Sequence, residues 1–213
     1  MLSIPHQGFS ARLIALALFV IAPLTYGQHT SAPDSPRPRI AIIIDDIGYH
    51  YGQGKRTIDL PGSITLAVIP FTPNAVRLAE LGHRQGKEIM LHAPMANASG
   101  TPMEAGALSD SMNRENFVRR LRESIDSVPH VSGLNNHMGS LLTQLREPMT
   151  WLATELKQQN LYFVDSRTSP LTVAELIARN NYLPTLKRDI SLLLPPLLPT
   201  VHFLSLGLLK SHL

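Results

Sequence analysis

Residues 40–48 read I-A-I-I-I-D-D-I-G. Five apolar residues in succession, three of them consecutive isoleucines, suit a strand buried on both faces. Two adjacent carboxylates, Asp45 and Asp46, follow at once, and Gly48 permits a turn after them. A strand that ends in paired aspartates delivers them to the rim of a sheet, where open α/β sheets and barrels hold their ligands. Neighbouring side chains in a strand point to opposite faces. Asp45 and Asp46 are therefore expected to do different jobs, one holding a metal and the other facing a reacting water. The plain alternative is a solvated Asp pair opening a turn.

The rest of the chain alternates between strand and helix patterns. Residues 49–60 have no apolar period and read as a loop or short helix, closed by the turn signal Pro61-Gly62. Residues 63–70 form a second core strand, and residues 73–86 a helix ended by Gly86. A third strand over 87–91 runs into His92-Ala93-Pro94-Met95. Residues 96–110 are a small-residue loop long enough to carry part of a site. A helix over 113–128 repeats Phe117, Leu121 and Ile125 at every fourth position, with Ser111 or Asn113 as its cap. Residues 131–134 are a short strand leading into Asn135-Asn136-His137-Met138-Gly139-Ser140. A helix over 149–159, a strand over 161–164 ending at Asp165, a helix over 170–181 and a strand over 182–186 complete the pattern. Connections this short require parallel neighbours, so the class is α/β with a parallel sheet or barrel.

Four strands thus end in chemical groups: Asp45-Asp46, His92, Asn136-His137 and Asp165. Parallel strands place all four ends on one face. A carboxylate and two imidazoles are a usual ligand set for zinc or a similar divalent ion. Taken singly, His92 suits a turn, His137 a hydrogen-bonded loop and Asp165 a helix cap. Their joint occurrence at successive strand ends favours a site.

The chain has 213 residues, no cysteine and a formal charge of +3. Without cysteine there is no disulfide, no thiolate metal site and no Cys nucleophile. Residues 1–27 have the form of a secretory signal peptide: Arg12, an apolar run over 13–25, then Thr25-Tyr26-Gly27. The run falls short of a comfortable membrane span of about 20 residues, and an uncleaved anchor is the alternative. Removing 1–27, which holds one Arg and no acid, leaves a charge of about +2, too weak a field to indicate nucleic acid. Residues 28–38 read as a Pro- and Ser-rich linker. A cysteine-free exported chain suits the bacterial periplasm.

The segments I-I-I-D-D-I-G-Y, L-H-A-P-M, G-L-N-N-H-M-G-S and L-Y-F-V-D-S-R-T resemble the divergent polysaccharide deacetylase family, a remote branch of the NodB-like carbohydrate esterases. The resemblance spans residues 39–189. It implies a deformed (β/α) barrel and a metal-dependent deacetylase acting on an acetylated envelope glycan. It makes Asp45 the catalytic base and Asp46 and His137 ligands of a divalent metal, zinc by its donor set. His92 enters as the other histidine from its strand-end position. Asp165 would support the site, and Asn136 and Ser140, beside His137, would touch substrate. In the wider NodB-like group the second histidine lies four residues after the first, a position held here by Leu141.

Residues 190–213 are rich in Leu and Pro and have no clear period. Proline disfavours central strands and breaks helices. The family continues here with further strands and helices and a Gly-His-Pro segment, which this chain lacks. A truncated or frameshifted end is the expectation, leaving the barrel incomplete, with a natural anchor as the alternative. A non-catalytic glycan- or partner-binding protein on the same fold, or an inactive fragment, are the competing functions. One expectation concerns processing: N-terminal sequencing of the exported protein should begin at or near Gln28, whereas an intact Met1 in the membrane fraction would mean an anchor.

Overall fold

The structure, a computed structural model, describes residues 39–192 and 201–206. The expected leader (1–27) and linker (28–38) lie outside the described residues. Strand β1 (Arg39–Ile47) is followed by α1 (Tyr51–Ile58), β2 (Thr65–Val68), α2 (Ala75–Arg84) and β3 (Glu88–Met95). After the long loop come α3 (Arg114–Asp126), β4 (Val131–Met138), a 3-10 turn at Leu142–Gln144 and α4 (Arg146–Gln158). Then follow β5 (Tyr162–Asp165), α5 (Ala174–Asn180), β6 (Thr185–Lys187), β7 (Ile190–Leu192) and β8 (Val201–Leu206). Strands β1 to β6 lie side by side, all parallel, with helices in the crossovers. This is an incomplete (β/α) barrel. Among the described residues no helix is long and apolar enough to cross a membrane.

The core strands are buried as their composition requires. Every residue of β2 is buried, as are all of β3 beyond its first residue. Inside the helical layer, Phe117 of α3 is fully buried and meets Trp151 of α4 edge-on, with ring centroids 5.5 Å apart. Asn113 caps α3 as expected: its side chain accepts from the Asn116 N–H at 2.9 Å, satisfying one donor of the first turn. The buried Glu155 of α4 is held by Arg122 of α3 through two bonds of 2.7 and 2.9 Å. Those bonds keep its carboxyl below the usual range against the opposing effect of burial.

Several element boundaries differ from the sequence reading. Of the two alternatives for residues 49–60 the short helix holds, over residues 51–58, because one side, with Gly54, Thr57 and Ile58, packs inward. Strands β3 and β4 run on through the motifs that followed the expected strand ends, to Met95 and Met138. Pro94 is tolerated in β3 because pairing with β2 stops at Leu91, so no partner on that side requires the missing N–H. At 190–213, where no regular element was expected, β8 pairs antiparallel with β1 over six rungs, and β7 pairs antiparallel with β8. The open edge of β1 is thereby covered. Strands β6 and β7 stand at opposite ends of the sheet order, yet only Arg188 and Asp189 separate them in sequence. The chain itself therefore joins the two ends of the sheet.

Helix α2 rests on the sheet through Gly82. A Cβ there would lie 2.6 Å from Leu66 Cδ1 and 3.2 Å from Ile89 Cδ1, both on fully packed side chains. Replacing a mid-helix glycine by alanine ordinarily gains about 1 kcal/mol, but overpacking costs about 1–3 kcal/mol. Gly82→Ala should therefore destabilise the protein. Gly52→Ala, on the exposed side of α1 with only Arg56 Nη1 at 3.8 Å, should be neutral or stabilising. Urea titrations of the two variants should move the midpoint in opposite directions, or move it for Gly82 alone.

Candidate metal centre

Three strands converge at their C-terminal ends. Register alone sets the two histidines: His92 of β3 is level with Asn135 of β4, and Pro94 is level with His137. Asn135 and His137 are two residues apart and share a face, and His92 lies beside them on that same face. The rings meet edge to face with centroids 4.8 Å apart, and His92 Nε2 lies 3.1 Å from His137 Nδ1.

The carboxylates arrive by a different device. The β1–β2 register shifts between Ile44 and Ile47, and Asp46 has φ of +61°. Aspartate tolerates this left-handed geometry better than most residues. Such an irregularity re-aims a side chain that strict alternation would send away. Asp46 Oδ1 consequently sits 3.3 Å from His92 Nε2 and 3.0 Å from His137 Nδ1. Asp45 stays buried, with Oδ2 3.8 Å from the same His92 nitrogen. The two carboxylates thus face one imidazole from different depths, instead of serving opposite faces.

Asp46, His92 and His137 each offer a ligand atom, all within 4.8 Å of one another, and could hold a metal ion. Burial disfavours the charge on His92, but the negative Asp45 and Asp46 prevail and hold its pKa up to about 9. Burial likewise opposes the Asp46 charge, and the His137 and His92 contacts outweigh it, holding that carboxyl far below the usual range. One compact, strongly polarised group of one carboxylate and two imidazoles results, matching the donor set of a zinc-type site.

The remaining expected residues divide. Asp165 is fully buried; Oδ1 accepts from the Arg167 N–H at 2.8 Å and Oδ2 from the Thr172 hydroxyl at 2.9 Å. It therefore braces the loop between β5 and α5. Asn136 is also buried: its amide donates to Met138 O at 2.7 Å, and its Oδ1 accepts from Ser166 N at 2.9 Å. It ties two loops together. Ser140 is partly exposed and accepts from the Ala98 N–H at 3.0 Å. Leu141 packs against the core, so the imidazole beside His137 comes from His92 on the neighbouring strand.

Three participants escaped the sequence reading. Asn135 bridges Asp45 and His92: its amide donates to Asp45 Oδ1 at 2.9 Å, and its Oδ1 accepts from His92 Nδ1 at 2.7 Å. Extending the strand to Met138 would have found it, since Asn135 shares parity with His137. Arg188, just after β6, feels the charges of both Asp45 and Asp165, which oppose the downward pull of burial on its pKa. It too stands at a strand end. Glu104 reaches His137 from the long loop, where only its acidity among small residues marked it.

Because Asn135 satisfies a buried carboxylate and a buried ring N–H at once, Asn135→Ala should cost about 1–3 kcal/mol. Denaturation with an unchanged m-value is the measurement, and an unchanged midpoint would mean that water replaces the bridge.

The chain resembles known proteins over this same region. The model of the divergent polysaccharide deacetylase family matches residues 42–192. The uncharacterized protein YibQ of Escherichia coli K12 is 35% identical over 154 residues, which are 72% of this chain and 48% of YibQ. An uncharacterized protein of Haemophilus influenzae is 36% identical over 154 residues, 72% of this chain and 55% of the relative. The chain thus spans about half the length of the curated relatives it matches. The crystal structure of the uncharacterized protein ATU2773 from Agrobacterium tumefaciens C58 superimposes with a TM-score of 0.66 at 21% identity, covering 70% of this chain and 62% of that one. That likeness supports the fold. With a family match over most of its length and with its motif residues gathered at one end of the sheet, the chain belongs to the divergent polysaccharide deacetylase family.

Proposed function

We propose that this protein is a metal-dependent hydrolase that removes acetyl groups from an envelope polysaccharide, and that it works in the periplasm after loss of residues 1–27. The observation that carries the reading is the convergence of Asp46, His92 and His137 at the C-terminal ends of three parallel strands. Zinc held by these three residues would polarise the acetyl carbonyl and lower the pKa of a water.

The chain's own residues supply the rest. Asp45, buried beside His92, is the base that takes a proton from the attacking water. Asn135 holds the Asp45 carboxylate by one oxygen and fixes His92 with its Nδ1 protonated, so that Nε2 faces the other ligands. Asp165 acts at one remove, through the loop it braces and the charge it presents to Arg188. Ser140, three positions after His137 and partly exposed, would meet the glycan.

Elemental analysis of the purified full chain should find about one zinc per molecule, and His92→Ala or His137→Ala should remove it. Acetate release from acetylated glucosamine oligomers should be weak and should fall roughly 10²–10⁴-fold in Asp45→Asn, the usual range for loss of a general base. Metal content equal to that of the unmodified protein in both histidine variants would overturn the site. Binding of the oligomers without any acetate release would favour the glycan-binding reading.

A further inference from the structure

His137 uses only one of its nitrogens toward the triad. Nδ1 faces Asp46 Oδ1 at 3.0 Å and His92 Nε2 at 3.1 Å. Nε2 therefore points away from them, and Glu104 Oε2 stands 3.3 Å from it. Both atoms are fully buried, and neither makes a hydrogen bond of conventional geometry among the described residues. Buried polar atoms left without partners are costly, and a small adjustment of this 3.3 Å contact would satisfy both atoms at once. Glu104 lies across the ring from the other two ligands and is no member of the triad itself.

The loop that carries Glu104 is held in place. Leu108 clamps it to the end of β3, donating to Pro94 O and accepting from Ala96 N, each at 2.9 Å. Gly106 turns it with φ of +83°, and a Cβ there would strike the Phe71 ring at 2.6 Å. Tyr49, from the segment after β1, also feels Glu104: burial and the nearby Glu104 carboxylate push the Tyr49 pKa up. A carboxylate set so firmly against the far nitrogen of an imidazole fixes three properties of that ring: its tautomer, its orientation and its basicity as a ligand.

We propose that Glu104 is a positioning residue for His137, holding its Nε2 protonated so that Nδ1 is presented to a divalent cation. This rests on the metal reading given above. The two imidazoles then differ in kind: His92 is steered by the neutral amide of Asn135, and His137 by a charge.

The test uses the full chain and zinc alone, with affinity measured by competition against a chromogenic chelator. Glu104→Ala should weaken zinc binding by about 10–100-fold, the range for loss of such outer partners. Glu104→Gln, whose carbonyl still accepts from Nε2–H, should recover most of it. Long-range ¹H–¹⁵N imidazole spectra of the zinc-loaded protein supply a readout that loop stability would not move. Wild type should show His137 protonated at Nε2 with a slowly exchanging proton, and Glu104→Ala should lose that protection. Unchanged affinity and an unchanged His137 signal in Glu104→Ala would overturn the proposal. So would equal weakening by Ala and Gln that tracks a matching fall in Tm. Wild type that takes up no zinc would fail before any variant is compared, and would overturn the metal reading together with this one.

Discussion

The site depends on the parallel register of β3 with β4. That pairing sets His92 level with Asn135 and puts His137 one pleat further on. Shifting it by one residue would turn the face of β4 over, burying Asn136 among the ligands and sending His137 away. Register is enforced from below, where Leu91 and Leu134 pair within the core and every residue of β3 after Glu88 is buried. The hydrophobic interior thus determines the chemistry at the rim. An apolar pair sealed in the sheet decides which polar atoms meet above it.

Above that register, neutral and charged partners are distributed with a clear logic. A cluster containing Asp45, Asp46, His92 and His137 carries substantial charge in a largely buried place, and each group needs an opposite charge or a bond. Asn135 supplies both a donor and an acceptor without adding charge, and so links Asp45 to His92. Arg188 adds positive potential near Asp45 and Asp165. It can do so because the segment after β6 turns toward β7, bringing the two ends of the sheet order together. The same covalent link that joins the sheet also carries this cation within reach of Asp45 and Asp165.

Much of this was legible in the residues themselves. The isoleucine run before Asp45-Asp46, the alternation of strands and helices, and the polar residues at successive strand ends led to a parallel α/β sheet or barrel with carboxylates, His92 and His137 at its rim; the family resemblance then implied the barrel and Asp46 as the metal ligand. Those signals are local: hydrophobic period and turn chemistry act over a few residues, and parallel topology then carries strand ends to one face. The strand limits were less legible. Motif residues such as Asn135 and Pro94 resemble loop, yet they stay extended because their neighbours across the sheet pair with them. With β4 ended at Leu134, strand parity could not be applied beyond it, and the bridging role of Asn135 went unread.

The sequence by itself determined the class of fold, the end of the sheet that carries chemistry, and the donor set there, because burial patterns and residue types are properties of short segments. Only the tertiary structure decided how those groups are shared. The left-handed backbone at Asp46 overrode simple alternation and turned both carboxylates toward His92. The fold brought the His92 and His137 rings to within 3.1 Å of each other, a distance that no strand-end pattern gives. Glu104 reached His137 across 33 positions of chain because the loop is clamped back onto β3. Contacts between residues far apart in sequence follow from register and loop anchoring, which no local pattern encodes.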